Sequence, residues 1–238
     1  MDKAHLTCDE FISGIFEIYR LVSVLSDKNT CKVLRLRHKT LERDIVLRKL
    51  PKESEVYTLL AKYSSENLPE IFEVITLKDG QIVLEEYIDG LNIAEVMESG
   101  KYRKSGVRKV LLGVCSALSF LHSKGVVHRD IKPENIMVEK SGRVVLVDFN
   151  ASRRVTPERR DTEIMGTAGY ASPELLGTAR SDARTDIYAL GVLLNVMLTG
   201  MHPSEKLPRG KMRRVVRKCT AISHEDRYQS VKSLVEAL

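Results

Sequence analysis

The sequence predicts an α+β fold in two parts, a small β-rich N-terminal part and a larger α-helical C-terminal part. Three observations carry this. Between residues 19 and 50 the chain holds three β-type runs, and an Asp79-Gly80 hairpin signal joins two more at 71–77 and 81–87. From Val107 to Leu121 apolar residues recur at helical spacing. Residues 182–199 are apolar nearly all round from Ile187 onward, as a buried central helix is.

Taken in order, the stretch 11–18 (FISGIFEI) suits a short helix or a packing segment. The runs Tyr19 to Leu25, Cys31 to Leu36 and Asp44 to Leu50 suit strands, and 53–63 (ESEVYTLLAKY) suits a helix. After the hairpin, Asp89-Gly90 marks a change of pattern, with Gly90 as the expected hinge. Val107, Val110, Leu111, Val114, Leu118 and Leu121 then line one helix face. Val231, Leu234, Val235 and Leu238 make a last amphipathic segment. With no repeats and no low-complexity linker, residues 1–238 read as one domain divided into 1–88 and 89–238.

Composition sets further limits. Hydrophobic residues are 43% and charged residues 29%, which supplies a globular core and excludes wholesale disorder. Cys8, Cys31, Cys115 and Cys219 have neither metal-ligand spacing nor a disulfide framework, so a reducing, cytoplasmic setting is expected. The longest apolar runs, such as Val144 to Val147, are too short to span a membrane, and the polar start MDKAHLTCDE is not a signal peptide. The net charge is +6, spread over clusters such as Arg153-Arg154, Arg159-Arg160 and Lys211-Met212-Arg213-Arg214. These read as solvated faces and phosphate-handling groups. With no Trp and few aromatic residues, base stacking and nucleic-acid binding are not expected.

The chemistry concentrates in His128-Arg129-Asp130-Ile131-Lys132-Pro133-Glu134-Asn135. This stretch puts a carboxylate base, a cation and a metal-binding amide on one short loop, the parts that phosphoryl transfer from a nucleotide needs held together. Asp148-Phe149-Asn150 follows as a second acidic site in the right order to hold magnesium. The ordered set resembles the catalytic and metal-binding motifs of eukaryotic-type Ser/Thr protein kinases, and the resemblance covers nearly the whole chain. It implies the two-lobed kinase fold, ATP and Mg²⁺ as cofactors, and protein substrates with Ser or Thr acceptors.

Asp130 is then the base, Lys132 neutralises charge on the transferring group, and Asn135 and Asp148 take magnesium. His128 is implied to be structural, stacking under Phe149. Arg129 is implied to pair with a phosphorylated residue of the segment 148–174, with Thr162 favoured over Thr156. That prospect includes self-association for autophosphorylation. Gly166 to Glu174 resembles the substrate-docking stretch that ends in Ala-Pro-Glu, with Ser172 in place of Ala. There Thr167 is expected to bridge Asp130 and Lys132, Glu174 to pair with Arg227, and Asp186 to bond backbone near the catalytic loop. Glu134, by analogy, favours a basic residue before the acceptor.

Some positions depart from the family pattern. Ser26, Lys28 and Cys31 stand where the Gly-rich phosphate lid has glycines, which predicts a weakened lid. Arg48 takes the nucleotide-lysine position, while Lys49 faces the other side of its strand. Glu85 takes the gating position behind adenine, so an Arg48–Glu55/Glu85 cluster is expected. Asn150 replaces a glycine, at a place where Asn tolerates a left-handed backbone. For the nucleotide, Val46 and Met137 would sandwich adenine under Val33, the backbone of Glu86 and Ile88 would bond its edge, and Asn92 would face the ribose. These departures keep a second reading open, a pseudokinase acting as a nucleotide-binding or interaction module.

Overall fold

The computed structural model describes residues 6–28, 31–99, 104–155, 167–176 and 180–238. They form two compact units, one of residues 1–65 and 69–88, the other of residues 66–68 and 89–238. The architecture is α+β, with the sheet-rich part first and the helical part second.

The first unit is built on a five-stranded antiparallel sheet. Its strands are β1 (Tyr19–Lys28), β2 (Cys31–His38), β3 (Asp44–Leu50), β4 (Ile71–Leu77) and β5 (Gly80–Glu86), in the order β1-β2-β3-β5-β4. Alternation along the strands sorts the side chains onto two faces. On one face Leu34, Leu36, Ile45, Leu47, Ile75, Leu77 and Ile82 meet Cys8, Ile12 and Ile15 of helix α1 (Cys8–Ile15) in a single core. Helix α1 begins earlier than the apolar spacing implied, because Thr7 and Glu10 form a reciprocal capping box. It is pinned by Lys49 Nζ to Asp9 at 2.6 Å and by the Cys8 N–H, which donates to Asp79 at 2.6 Å.

The registers Val33↔Arg48, Arg48↔Val83 and Val46↔Glu85 put these residues together on the other face. The edge strand β1 runs three residues further than its apolar run and carries two register shifts, at Leu21/Ser23 and Val24/Ser26. Bulges of this kind blunt an edge against further pairing. Helix α2 (Glu55–Leu60) starts on the Ser54 cap and buries Val56, Tyr57 and Leu60. It is shorter than the expected 53–63.

The second unit holds a small sheet of β6 (Gly90–Asn92), β8 (Ile136–Glu139) and β9 (Val144–Leu146), and a two-stranded pair of β7 (Val126–Val127) and β10 (Arg153–Arg154). Gly90, the expected hinge, is the first residue of β6, one residue past the boundary between the units at 88 and 89. A Cβ there would lie 2.4 Å from the Val138 carbonyl oxygen, so close backbone approach is what requires the glycine. The helices are α3 (Ile93–Glu98), α4 (Val107–Ser123), α5 (Ala183–Thr199), α6 (Lys211–Cys219) and α7 (Val231–Glu236). Helix α4 packs on α5, α7 and β9. Helix α5 is capped by Asp182 and stopped by Gly200 at φ 73°, and its middle is buried on all sides. Among the described residues no helix is long and apolar enough to cross a membrane.

Candidate active site

In the second unit the loop from His128 to Asn135 leaves β7 and enters β8, and helix α5 holds its start. The Asp186 carboxylate accepts the backbone N–H of His128 at 2.9 Å and of Arg129 at 2.8 Å. It also meets His122 Nε2 at 2.8 Å. Arg129 sits at φ 70°, a left-handed conformation that a non-glycine residue keeps only where its surroundings hold it. His128 is buried, its ring edge-on to Phe149 with centroids 5.5 Å apart. Burial pushes its pKa down despite Asp186, Asp148 and Asp130 nearby. A neutral imidazole in this place packs the loop; it is not a proton carrier.

Asp130 lies at the centre of a closed set of hydrogen bonds. Lys132 Nζ donates to its Oδ2 at 2.7 Å, and the Thr167 hydroxyl donates to its Oδ1 at 2.7 Å. Lys132 Nζ also donates to Thr167 Oγ1 at 2.8 Å, so the three groups form a ring. Asn135 Nδ2 donates to the Asp130 carbonyl at 2.8 Å and to Oδ2 at 2.9 Å. Burial alone would push the Asp130 carboxyl up. The bonds from Lys132 and Thr167, with the Lys132 charge and Asn135, outweigh it and hold the group below the usual carboxylate range.

With both donors of Asn135 directed at Asp130, its side-chain oxygen points the other way, as a hard donor suited to magnesium. Asp148 supplies a carboxylate and stands at φ 68°. The left-handed residue of this motif is therefore Asp148, not Asn150 as the sequence suggested. Asn150 lies in a turn with its N–H 3.4 Å from Asp148 Oδ1. Among the described residues no group of three or more His, Cys, Asp or Glu side chains could cage a metal by itself. One amide and one carboxylate fit a magnesium ion that completes its shell with water and phosphate oxygens.

In the first unit Arg48 Nε donates to Glu85 Oε1 at 2.6 Å, and both side chains are buried. The Arg48–Glu85 arm of the expected cluster is thus in place, and Glu55 is the first residue of α2. Val33 and Val46 are buried on the same face as Arg48. At the expected lid β1 and β2 stay paired out to Lys28 opposite Cys31. The Glu86 N–H is already taken, donating to the Glu70 carbonyl at 2.8 Å, and the Ile88 side chain is buried.

In the second unit Met137 is the cross-strand partner of Asn92. The Asn92 oxygen caps α3 through the Glu95 N–H at 2.9 Å, a use that the ribose-facing expectation did not foresee. The sequence reading also missed Arg35. Its guanidinium lies 4.0 Å over the Tyr87 ring and is bound to Asp44, which Arg37 grips as well. The signal was available as two alternating arginines on β2 facing an aspartate across the β2–β3 turn. Thr156, Thr162, Arg159 and Arg160 lie outside the described residues.

The element order is α+β, a sheet-rich part followed by a helical part. Residues 17–237 match the protein kinase domain family, and the chain belongs to it. It is similar to Sperm motility kinase 1 of Mus musculus, 28% identical over 210 residues, which cover 83% of this chain and 43% of that protein. A probable serine/threonine-protein kinase of Clostridium perfringens is 31% identical over 175 residues, 72% of this chain and 25% of its own length. CBL-interacting protein kinase 12 of Oryza sativa subsp. japonica is 29% identical over 202 residues, 78% of this chain and 37% of its own length. The chain therefore spans less than half the length of these relatives.

Proposed function

We propose that this chain is a Ser/Thr protein kinase that transfers the γ-phosphate of ATP to protein hydroxyl groups. The observation that carries the reading is the ring of Asp130, Lys132 and Thr167. Asp130 orients the acceptor hydroxyl and takes its proton as transfer completes. A carboxyl held below its usual pKa stays ionised at neutral pH and is a weak base, which suits late proton transfer. Lys132 puts a cation beside the same carboxylate, where it also meets charge building on the phosphoryl oxygens. Thr167 ties the docking stretch to both. Asn135 and Asp148 would hold magnesium, which when bound supplies charge neutralisation on the phosphates. Val33, Val46, Arg48, Glu86, Ile88, Asn92 and Met137 are the proposed nucleotide-side residues, with Glu55 a further candidate on α2. The scattered spacing of the four cysteines is the ground for proposing a reducing, cytoplasmic setting.

One observation favours a second reading, a pseudokinase. Arg48 spends its Nε on buried Glu85, so its charge is directed at that carboxylate and less of it is left for a nucleotide phosphate. Incubation with ATP, Mg²⁺ and a generic basic protein, read by intact mass, separates the two. The kinase reading expects phosphate on the substrate or on this chain, abolished by Asp148→Asn. No transfer together with no thermal shift on adding ATP overturns it, and a thermal shift without transfer supports the pseudokinase. Arg48→Lys is expected to change ATP affinity, and an unaltered affinity removes Arg48 from the nucleotide site.

A further inference from the structure

The stretch 206–218 (KLPRGKMRRVVRK) holds seven basic residues and no acidic one, more positive charge than the net of the whole chain. Five of them are on α6: Lys211, Arg213, Arg214, Arg217 and Lys218. The buried residues of this helix are Val215, Val216 and Cys219, and at 100° per residue all five basic side chains fall on the opposite arc. All five are exposed, as are Lys206 and Arg209 just before them. Among the described residues, none of Lys206, Arg209, Lys211, Arg213, Arg214 and Arg217 makes an ion pair through its side chain.

This arrangement works against the helix that carries it. Arg213 and Arg217, and Arg214 and Lys218, are like charges four residues apart, while Lys211–Arg214 and Arg214–Arg217 are three apart. Each such pair disfavours the helix. Lys211 and Arg213 also sit at the N-terminal end, where the helix dipole disfavours cations, and the Gly210 cap offers no side-chain acceptor. A short helix with so many local conflicts points to an outside anion that relieves them.

Just past the C-terminal end of α6 lies an exposed aliphatic side chain. Ile222, three residues after α6, is 84% exposed. It is held there, because buried Arg227 grips the Ala221 and Ile222 carbonyls at 2.9 and 3.1 Å. The flanking acids in sequence are Glu205, just before the stretch, and Glu225, which acts on Arg184 after the larger hold of Asp182.

We infer that α6 with Ile222 is a docking surface for an anionic membrane. A layer of acidic headgroups neutralises an array of cations spread over about 10 Å of helix length, and its interfacial zone takes up a lone aliphatic side chain at the same time. A nucleic-acid backbone meets the first need but offers Ile222 nothing. This inference does not depend on catalytic activity.

The test is co-sedimentation of the full chain with phosphatidylcholine vesicles containing about 30% phosphatidylserine, against phosphatidylcholine alone. Binding is expected only to the anionic vesicles. Arg213→Glu/Arg214→Glu/Arg217→Glu should weaken it about a hundredfold or more, since each basic residue near the surface contributes roughly fivefold. All three positions are exposed, and a melting temperature at or above that of the parent confirms that the variant is folded. Ile222→Asn should weaken vesicle binding several-fold while leaving retention on heparin unaltered. No binding to anionic vesicles overturns the inference. So does an Ile222→Asn variant that binds vesicles as tightly as the parent. Binding to RNA or to an acidic polypeptide in place of vesicles assigns the surface to that partner and overturns the lipid reading.

Discussion

At the residue scale the loop around Asp130 shows how much one carboxylate depends on its neighbours. Thr167→Ala removes the hydroxyl that joins Asp130 to Lys132 while leaving both charges in place. If transfer occurs as proposed, its rate should fall roughly 100-fold, the scale of a displaced reacting group, with little change in stability. Rate measurements at saturating ATP, paired with a melting curve, check both halves. Arg48 poses the opposite case, where stability is the readout. Arg48→Met takes the 2.6 Å guanidinium partner from the buried Glu85 carboxylate and should destabilise the first unit by about 3–5 kcal/mol. The double variant Arg48→Met/Glu85→Leu should recover most of that loss in urea unfolding, because two apolar side chains can occupy the space of a buried pair at little net cost.

At the element scale the decisive contact is that of α5 with α6. Gly191 lies inside α5, where alanine would ordinarily favour the helix by about 1 kcal/mol. A Cβ at this position would stand 2.3 Å from Cys219 Cβ and 3.0 Å from Thr220 Cγ2. Neither neighbour is the far end of a flexible chain, so overpacking costing about 1–3 kcal/mol decides the sign. Gly191→Ala is therefore expected to destabilise the protein, with a lower unfolding midpoint, and to loosen α6 on its seat. Legibility at this scale was uneven. The β-type runs at 31–36, 44–50 and 71–77, the helical spacing from 107 to 121 and the apolar stretch 182–199 fall on β2, β3, β4, α4 and α5. The starts of α1 and α2 did not follow from periodicity, because the capping bonds of Thr7 and Ser54 set them, and local hydrogen bonds leave no periodic trace.

At the scale of the whole molecule, the buried pair of Glu174 and Arg227 ties residues more than fifty positions apart. Burial pushes the Glu174 carboxyl up, but the Arg227 bonds and charge outweigh it and bring it down to about 2 from an ordinary 4.5. A depressed carboxylate pKa means that the unfolded chain binds the proton more readily. The stability this pair contributes is then full above about pH 4.5 and is lost as pH falls toward 2. Urea midpoints measured across that window should drop with acid, and Glu174→Gln should flatten the drop. By itself the sequence determined the fold class, the family resemblance and the order of the chemical groups. Periodicity and short motifs are local, and both survive in a one-dimensional string. Tertiary structure decided the 2.6 Å contact of Arg48 Nε with the Glu85 that the sequence had named as a partner, that Asp148 and not Asn150 takes the left-handed backbone, and that, among the described residues, the seven cations of 206–218 stand without acidic partners. Each of these depends on which distant side chain arrives first within hydrogen-bond reach, and packing alone sets that.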